Sequence, residues 1–297
     1  MTNILVSGLI NIETTVAVRG FPIDYYPIDY PFFGIESRVA GVGYNIARAL
    51  TTLGDGVRFY SFAGNDAEGA RIEATLQSDG IVSTHVAHSL QSTPTSVVLF
   101  DPSGRRQIYC DLKDAQEMIL TEEEVGANLE NCAAAVLCNI GFNRRLIKAA
   151  RARGVLTATD VHVLRTLEDD YNRDFMENAD ILFLSDEGLP CPPEEFIRQL
   201  EERCRNRVIV IGQGARGALL LDAEKEKLCQ IPAYTAGKVV NTVGAGDALF
   251  SAFLHFYIKT GDAEQALRHA VVFAGVKVCQ SGASSGFCSE EEVLKRS

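Results

Sequence analysis

Asn241-Thr242-Val243-Gly244-Ala245-Gly246-Asp247 stands directly before an apolar stretch, residues 248–256, in which Leu249, Ala252, Phe253 and Phe256, followed by Tyr257, recur at helical spacing. Small residues and one carboxylate at the mouth of a helix predict a tight turn whose backbone amides point outward. Glycine lets the backbone approach a ligand closely, and the unpaired N–H groups of a first turn, with the helix dipole, favour an anion such as a phosphoryl group. Asp247 falls in that first turn, within reach of whatever the amides hold. The same helix end is expected to depress its pKa, leaving it ionised at neutral pH and weakly basic.

Outward from this run, the chain alternates strand-like and helix-like segments. Residues 4–6, 57–63, 134–138, 156–159, 181–184 and 208–211 read as buried strands. Helical patterns cover 67–78, 143–153, the stretch from 160 to about 178, 193–205 and 263–279. Alternation of this length predicts an α/β fold, a mainly parallel sheet with helices on both faces. The loops after the strands carry Asn139, Asp160 and Ser185-Asp186-Glu187, at the carboxyl edge where open α/β sheets bind ligands. Gly41-Val42-Gly43-Tyr44-Asn45 opens an amphipathic helix, with Ile46, Ala47, Leu50 and Leu53 on one face and Gly54 as terminator.

Two regions break the alternation. Residues 14–19 and 34–39 alternate in strand fashion around a segment, 21–33, dense in Pro, Tyr and Phe, which excludes a helix or a central strand there. Residues 95–100 and 106–111 form another strand pair, joined by Asp101-Pro102-Ser103-Gly104. Further on, Gly212-Gln213-Gly214-Ala215-Arg216-Gly217 matches the dinucleotide-binding string Gly-x-Gly-x-x-Gly. After Gly217 the chain carries an apolar run, a charged turn over 223–227 and a second strand-like piece, 228–231. That is a hairpin and not a helix, which argues against a Rossmann oxidoreductase. No Gly-x-x-x-x-Gly-Lys-Ser/Thr string occurs, so no P-loop is expected to hold a nucleotide.

The run 241–247 resembles the C-terminal signature of the PfkB or ribokinase-like sugar and nucleoside kinases, usually Asp-Thr-x-Gly-Ala-Gly-Asp. Residues 40–47 resemble their N-terminal signature, Gly-Gly-x-x-x-Asn-x-Ala, with Ala40 in place of the first glycine. The resemblance covers most of the chain and implies a ribokinase-like three-layer αβα sandwich with a mainly parallel central sheet and a small β lid. One kinase domain would span 1–297, with lid segments at about 12–39 and 94–112 that cover the acceptor and make a homodimer contact. It further implies that Asp247 is the catalytic base and that the amides of Gly244, Ala245, Gly246 and Asp247 form the anion hole. Asn11, Glu13 (for the usual Asp), Gly41, Gly43, Asn45 and Asn139 would meet the acceptor. Ser185, Gly212, Gly214, Arg216 (for the usual Lys) and Gly217, with Gly244 and Gly246, would meet ATP. The family's Asn-x-x-Glu motif for Mg2+ reads here Ser185-Asp186-Glu187-Gly188, which moves the metal's water shell onto Asp186 or Glu187. Asn241 stands where relatives carry an Asp that helps hold a monovalent cation such as K+. The loop 281–286, which matches at Gly282-Ala283, is expected to flank the nucleotide base and close the anion site.

A chain of 297 residues, 46% hydrophobic, can bury a large core. Its net charge of −11 argues against nucleic acid or an anionic membrane as the main partner, since both require a basic surface. The apolar runs are too short to span a bilayer. Eight cysteines without a Cys-x-x-Cys pair read as buried thiols of a reducing cytosol, so a cytoplasmic location is expected. The function expected is ATP-dependent phosphorylation of a hydroxymethyl group on a small sugar or nucleoside. Two alternatives stand beside it. One is a phosphosugar kinase, with Arg19, Arg38, Arg105, Arg106 or Lys113 under the lid; the other is a sugar- or nucleoside-binding sensor that has lost metal chemistry.

Overall fold

A computed structural model describes residues 3–280 and 282–297. In chain order it runs β1 (Asn3–Ser7), β2 (Asn11–Ala17), β3 (Ile35–Ala40), α1 (Val42–Leu53), β4 (Gly56–Gly64), α2 (Ala67–Ser78), β5 (Val86–Leu90), β6 (Thr95–Phe100) and β7 (Arg106–Asp111). It continues with α3 (Glu122–Leu129), β8 (Ala134–Leu137), α4 (Asn143–Ala152), β9 (Leu156–Val163), α5 (Arg173–Asn178), β10 (Ile181–Ser185), α6 (Pro193–Cys204) and β11 (Val208–Gly212). Last come β12 (Ala218–Asp222), β13 (Lys227–Ile231), α7 (Ala245–Thr260), α8 (Ala263–Lys277) and α9 (Glu290–Leu294).

Nine strands form one sheet in the order β13-β12-β11-β10-β9-β8-β1-β4-β5. Pairing is parallel except at the β11-β12-β13 edge, where the hairpin expected after Gly212 runs antiparallel. The central strands are aliphatic at nearly every position because both faces are covered. Ile4, Val6, Val208 and Val210 point into a core with α1, α2, α7 and α8, while Leu5, Ile209 and Ile211 point into a second core with α3, α4, α5 and α6. Each such side chain, fully buried, contributes roughly 1.5–3 kcal/mol. The result is the three-layer arrangement expected from the alternation.

Helix α7 is apolar nearly all round because it is enclosed by α1, α8 and the sheet. Phe250 and Phe253 pack on Phe183 of β10 at ring separations of 4.9 and 5.1 Å, which fixes where the N-terminus of α7 emerges. It emerges at the carboxyl edge of the sheet, where a Cβ on Gly246 would come nearest to Asp160 of β9 and Asp247 meets Asn45 of α1.

A second, four-stranded sheet has the order β3-β2-β6-β7, in which only the β2–β6 pairing is parallel. Its register places Asn11, Glu13, Ser96 and Arg38 on one face, since Glu13 opposes Arg38 on β3 and Ser96 on β6. Ile35, Val97 and Tyr109 share the other face and are exposed.

Three expectations need correction. The helix read from 160 to about 178 shrinks to α5, because β9 continues to Val163 and side chains then cap turns locally: Thr166 Oγ1 accepts from Glu168 N–H (3.1 Å) and Asp169 Oδ1 from Asn172 N–H (2.9 Å). Edge strand β5, α3 and the terminal α9 were not foreseen; β5 is half polar and α9 is short, so neither shows a clear period. Of the eight free cysteines, only Cys138, Cys204 and Cys288 are buried, and Cys110 on β7 is exposed. Among the described residues, no helix is long and apolar enough to cross a membrane.

Candidate active site

Gly244 caps α7 in the left-handed region (φ 77°), and a Cβ there would lie 2.5 Å from the Ala283 carbonyl oxygen. Only glycine allows this turn without strain. Ala248 N–H donates to Gly244 O as the helix begins, and Ala245 N–H turns back to Thr242 O (3.1 Å). The four-amide hole expected from the sequence is therefore reduced by one. Among the described residues, no partner is present for the amides of Gly244, Gly246 and Asp247, and they remain as donors at the helix mouth. A Cβ on Gly246 would meet nothing nearer than Asp160 Oδ2 at 3.9 Å, so this side of the turn opens as a cradle.

Asp247 is buried, and its Oδ2 accepts from Asn45 Nδ2 at 2.7 Å, joining the two signatures across 202 residues of sequence. Its carboxyl is held above the ordinary carboxylate range: desolvation by burial dominates, Asp160 adds to it, and His162, the Asn45 hydrogen bond and Lys277 act the other way. This corrects the expectation of a depressed value. A helix terminus contributes fractions of a kilocalorie up to about 2 kcal/mol, whereas burial of a carboxylate shifts its titration by more.

Glu13 is raised for the same reason, first by burial and then by the Asp247 charge, with Arg38 and Arg106 opposing. The Glu13 face of the small sheet therefore approaches the mouth of α7. Two asparagines on these elements keep a buried acceptor without a partner among the described residues. Asn45 Oδ1 is one; the other is Asn11 Oδ1, whose Nδ2 donates to Ser96 Oγ at 2.8 Å. A buried carbonyl oxygen left unpaired costs about 1–3 kcal/mol, so each could accept a hydrogen bond from a hydroxyl of a bound ligand.

The remaining expected residues divide. Gly41 (φ 112°) and Gly43 do not open space for a ligand. Their missing Cβ atoms are replaced by the chain itself, with Leu9 O at 2.4 Å and the Gly8 carbonyl carbon at 2.6 Å, so these glycines serve the packing of α1 on the β1–β2 loop. Gly217 likewise packs against Ile231, whereas Gly214 (φ 56°) has open space around it. Arg216 pairs with Asp186, so the expected phosphate ligand and the expected metal ligand neutralise one another. Ser185 Oγ accepts from Glu187 N–H at 3.2 Å, and the Glu187 side chain is exposed. Asn139 donates from Nδ2 to Asn172 at 3.0 Å. Asn241 spends its side-chain oxygen on Val243 N–H (2.8 Å) and so closes its own turn. In the loop 281–286, Ser281 lies outside the described residues; Gly282 is in the left-handed region (φ 87°) under the Arg38 guanidinium, and Ala283 backs Gly244.

Three functional neighbours were missed by sequence reasoning. Asp160, expected in a loop at the carboxyl edge and without a role beside Asp247, lies on β9; its Oδ1 accepts from His162 N–H (2.8 Å), and His162 stands at φ 61°. No sequence signal marks that kink. Lys277 is fully buried, donates to Val243 O and feels Asp247; burial pushes its ammonium down to about 8. A lone charge inside the apolar run 270–278 was the available signal.

Residues 1–290 match the family model described as pfkB family carbohydrate kinase. The chain is 26% identical to the acarbose 7(IV)-phosphotransferase of an Actinoplanes species, over 99% of this chain and 98% of that one. It is 25% identical to the deoxyribokinase of Salmonella typhi, over 98% and 97%. Among solved structures, a microbiome-derived acarbose kinase superposes with a TM-score of 0.86 at 25% identity, covering 99% and 98% of the two chains. Arabidopsis thaliana ribokinase, solved with ribose and ATP, superposes with a TM-score of 0.82 at 23% identity, covering 99% and 97%.

Proposed function

The chain belongs to the pfkB family of carbohydrate kinases, and on that premise we propose that it moves the γ-phosphoryl group of ATP to a hydroxymethyl group of a small sugar or nucleoside, with Asp247 as base. The observation that carries this reading is the pairing of a buried carboxylate with three amides at one helix mouth and with two buried asparagine oxygens, these amides and oxygens having no hydrogen-bond partner among the described residues. Phosphoryl transfer asks for in-line positioning and dispersal of charge on the equatorial oxygens, and little covalent chemistry from the protein. The amides of Gly244, Gly246 and Asp247 take that charge. Asn45 orients the Asp247 carboxylate toward the hydroxyl proton, which it accepts as the oxygen bonds to phosphorus. Asn11, Asn45 and Glu13 grip the acceptor's other hydroxyls. The open backbone at Gly214 admits the nucleotide.

Mg2+ would enter with ATP and screen its phosphates. It commonly keeps several waters and needs only one or two carboxylates, so Glu187, with Asp186 once it is released from Arg216, would hold a hydrated ion through its waters. A directly ligated ion is not supported, because no cluster of three metal-binding side chains occurs among the described residues. Acting as a lid, the small sheet brings its Glu13 face down on the acceptor, and its exposed apolar face pairs two copies in a homodimer. A cytoplasmic enzyme supplied with ATP completes the reading.

The relatives' names support this acceptor class: acarbose, deoxyribose and ribose are all polyhydroxylated, which suits a site of asparagines and one glutamate. The test is ADP release across a panel of pentoses, hexoses, oligosaccharides and nucleosides, in the wild type and in Asp247→Asn. Turnover with at least one acceptor is expected, falling on the order of 10²- to 10⁴-fold in the variant while ATP still binds. A variant that keeps substantial turnover removes Asp247 from the role of base.

A further inference from the structure

Lys277 ends α8, has no solvent exposure, and reaches across to the carbonyl oxygen of Val243, inside the turn that leads into the anion site. A buried ammonium is costly unless acceptors and an opposite charge surround it. Here the acceptor is a backbone carbonyl of the Asn241–Gly244 turn, and the charge that favours it is Asp247, with Arg106 opposing. The turn is otherwise closed from within: Asn241 accepts from Val243 N–H, and the Val240 and Asn241 amides donate to Val278 O, one residue beyond Lys277. A metal cation at this turn would need the oxygens of Asn241 and Val243, and both are already engaged. The residues present therefore do not fit the monovalent cation that the family resemblance implied.

We propose that the Lys277 ammonium is the built-in cation of this turn, a positioning residue that holds the Val243 carbonyl inward, keeps the amides of Gly244, Gly246 and Asp247 facing the ligand, and makes the protein independent of added K+ or Na+. The inference rests on the kinase reading for its effect on turnover, but not for its effect on the turn. Its positive charge also balances the carboxylate that must remain ionised beside it. Deleting the charge should loosen the presentation of the amides without touching the acceptor's hydroxyl contacts, so kcat should fall while acceptor KM holds.

The test compares KCl, NaCl and choline chloride at equal ionic strength, reading both turnover and Tm. Wild-type turnover and Tm are expected to be the same in all three. Lys277→Met should lose kcat on the order of 100-fold, as when one anion-hole donor is removed, with acceptor KM nearly unchanged. Lys277→Ala leaves a space, and K+ or methylammonium should raise both its Tm and its turnover. Strong activation or stabilisation of the wild type by K+ overturns the proposal, and this arm needs no variant to fold. So does a folded Lys277→Met with normal kcat. If no acceptor supports turnover, the kinase reading fails, while the cation dependence of Tm in Lys277→Ala against the wild type still decides the role of Lys277.

Discussion

Asp247 needs its proton removed before it can act as a base, and Lys277 needs its own to act as a cation, so the two set opposite limbs of the pH profile. Burial raises the Asp247 carboxyl, which moves the acidic limb upward from the ordinary aspartate value of about 4. Burial lowers the Lys277 ammonium to about 8, which places the alkaline limb there and not near the ordinary lysine value. The expected kcat profile is a bell whose acidic side lies above the range of exposed aspartates and whose alkaline side begins near pH 8. A profile flat to pH 10 would contradict the alkaline assignment. Asn45→Ala should push the acidic limb higher still, because the Asn45 hydrogen bond opposes the rise. The residue types were legible: a carboxylate in a glycine turn and an asparagine behind two glycines. The direction of the Asp247 shift was not, because helix position is local whereas desolvation depends on α1, β9, α8 and the small sheet packing around it.

The turn into α7 separates two kinds of glycine, and a paired substitution distinguishes them. Gly244 sits at φ 77° with Ala283 O against its missing side chain, so Gly244→Ala should cost about 1–3 kcal/mol and lower Tm as well as turnover. Gly246 is helical, and among the described residues a Cβ there meets only Asp160, at 3.9 Å. Gly246→Ala should keep the wild-type Tm, yet lose turnover because its methyl group occupies the cradle. Thermal melts and ADP release measure both; equal destabilisation of the two variants would reject the distinction. At this scale the strong patterns were read well. β6, β7 and α2 match their expected limits, and the hairpin after Gly212 defeated the dinucleotide motif as its sequence context required. What fills the missing Cβ atoms of Gly41 and Gly43 was not legible, since a glycine spacing looks the same whether a ligand or the protein's own backbone lies there.

For the whole molecule, the small sheet divides its faces by strand alternation: Glu13, Arg38 and Ser96 toward the site, Ile35, Val97 and Tyr109 outward. With Tyr25, Phe32 and Phe33 exposed in the neighbouring loop, the outward face is an apolar patch of the kind that pairs proteins. Light scattering should give the mass of a dimer, and the double variant Val97→Glu, Tyr109→Glu should give half of it with the fold retained. A wild-type monomer at tens of micromolar would end the homodimer reading. Residue order by itself determined the α/β alternation, the small second sheet, the family and the two glycine signatures, because periodicity and turn chemistry are properties of neighbours in sequence. Which amides stay free among the described residues, that Arg216 pairs with Asp186, and that a lysine from α8 fills the turn before α7 were decided only by the tertiary structure. Hydrogen-bond partnering and the loss of water around a charge depend on groups tens to hundreds of residues apart, and these meet only when the sheet and its helices pack.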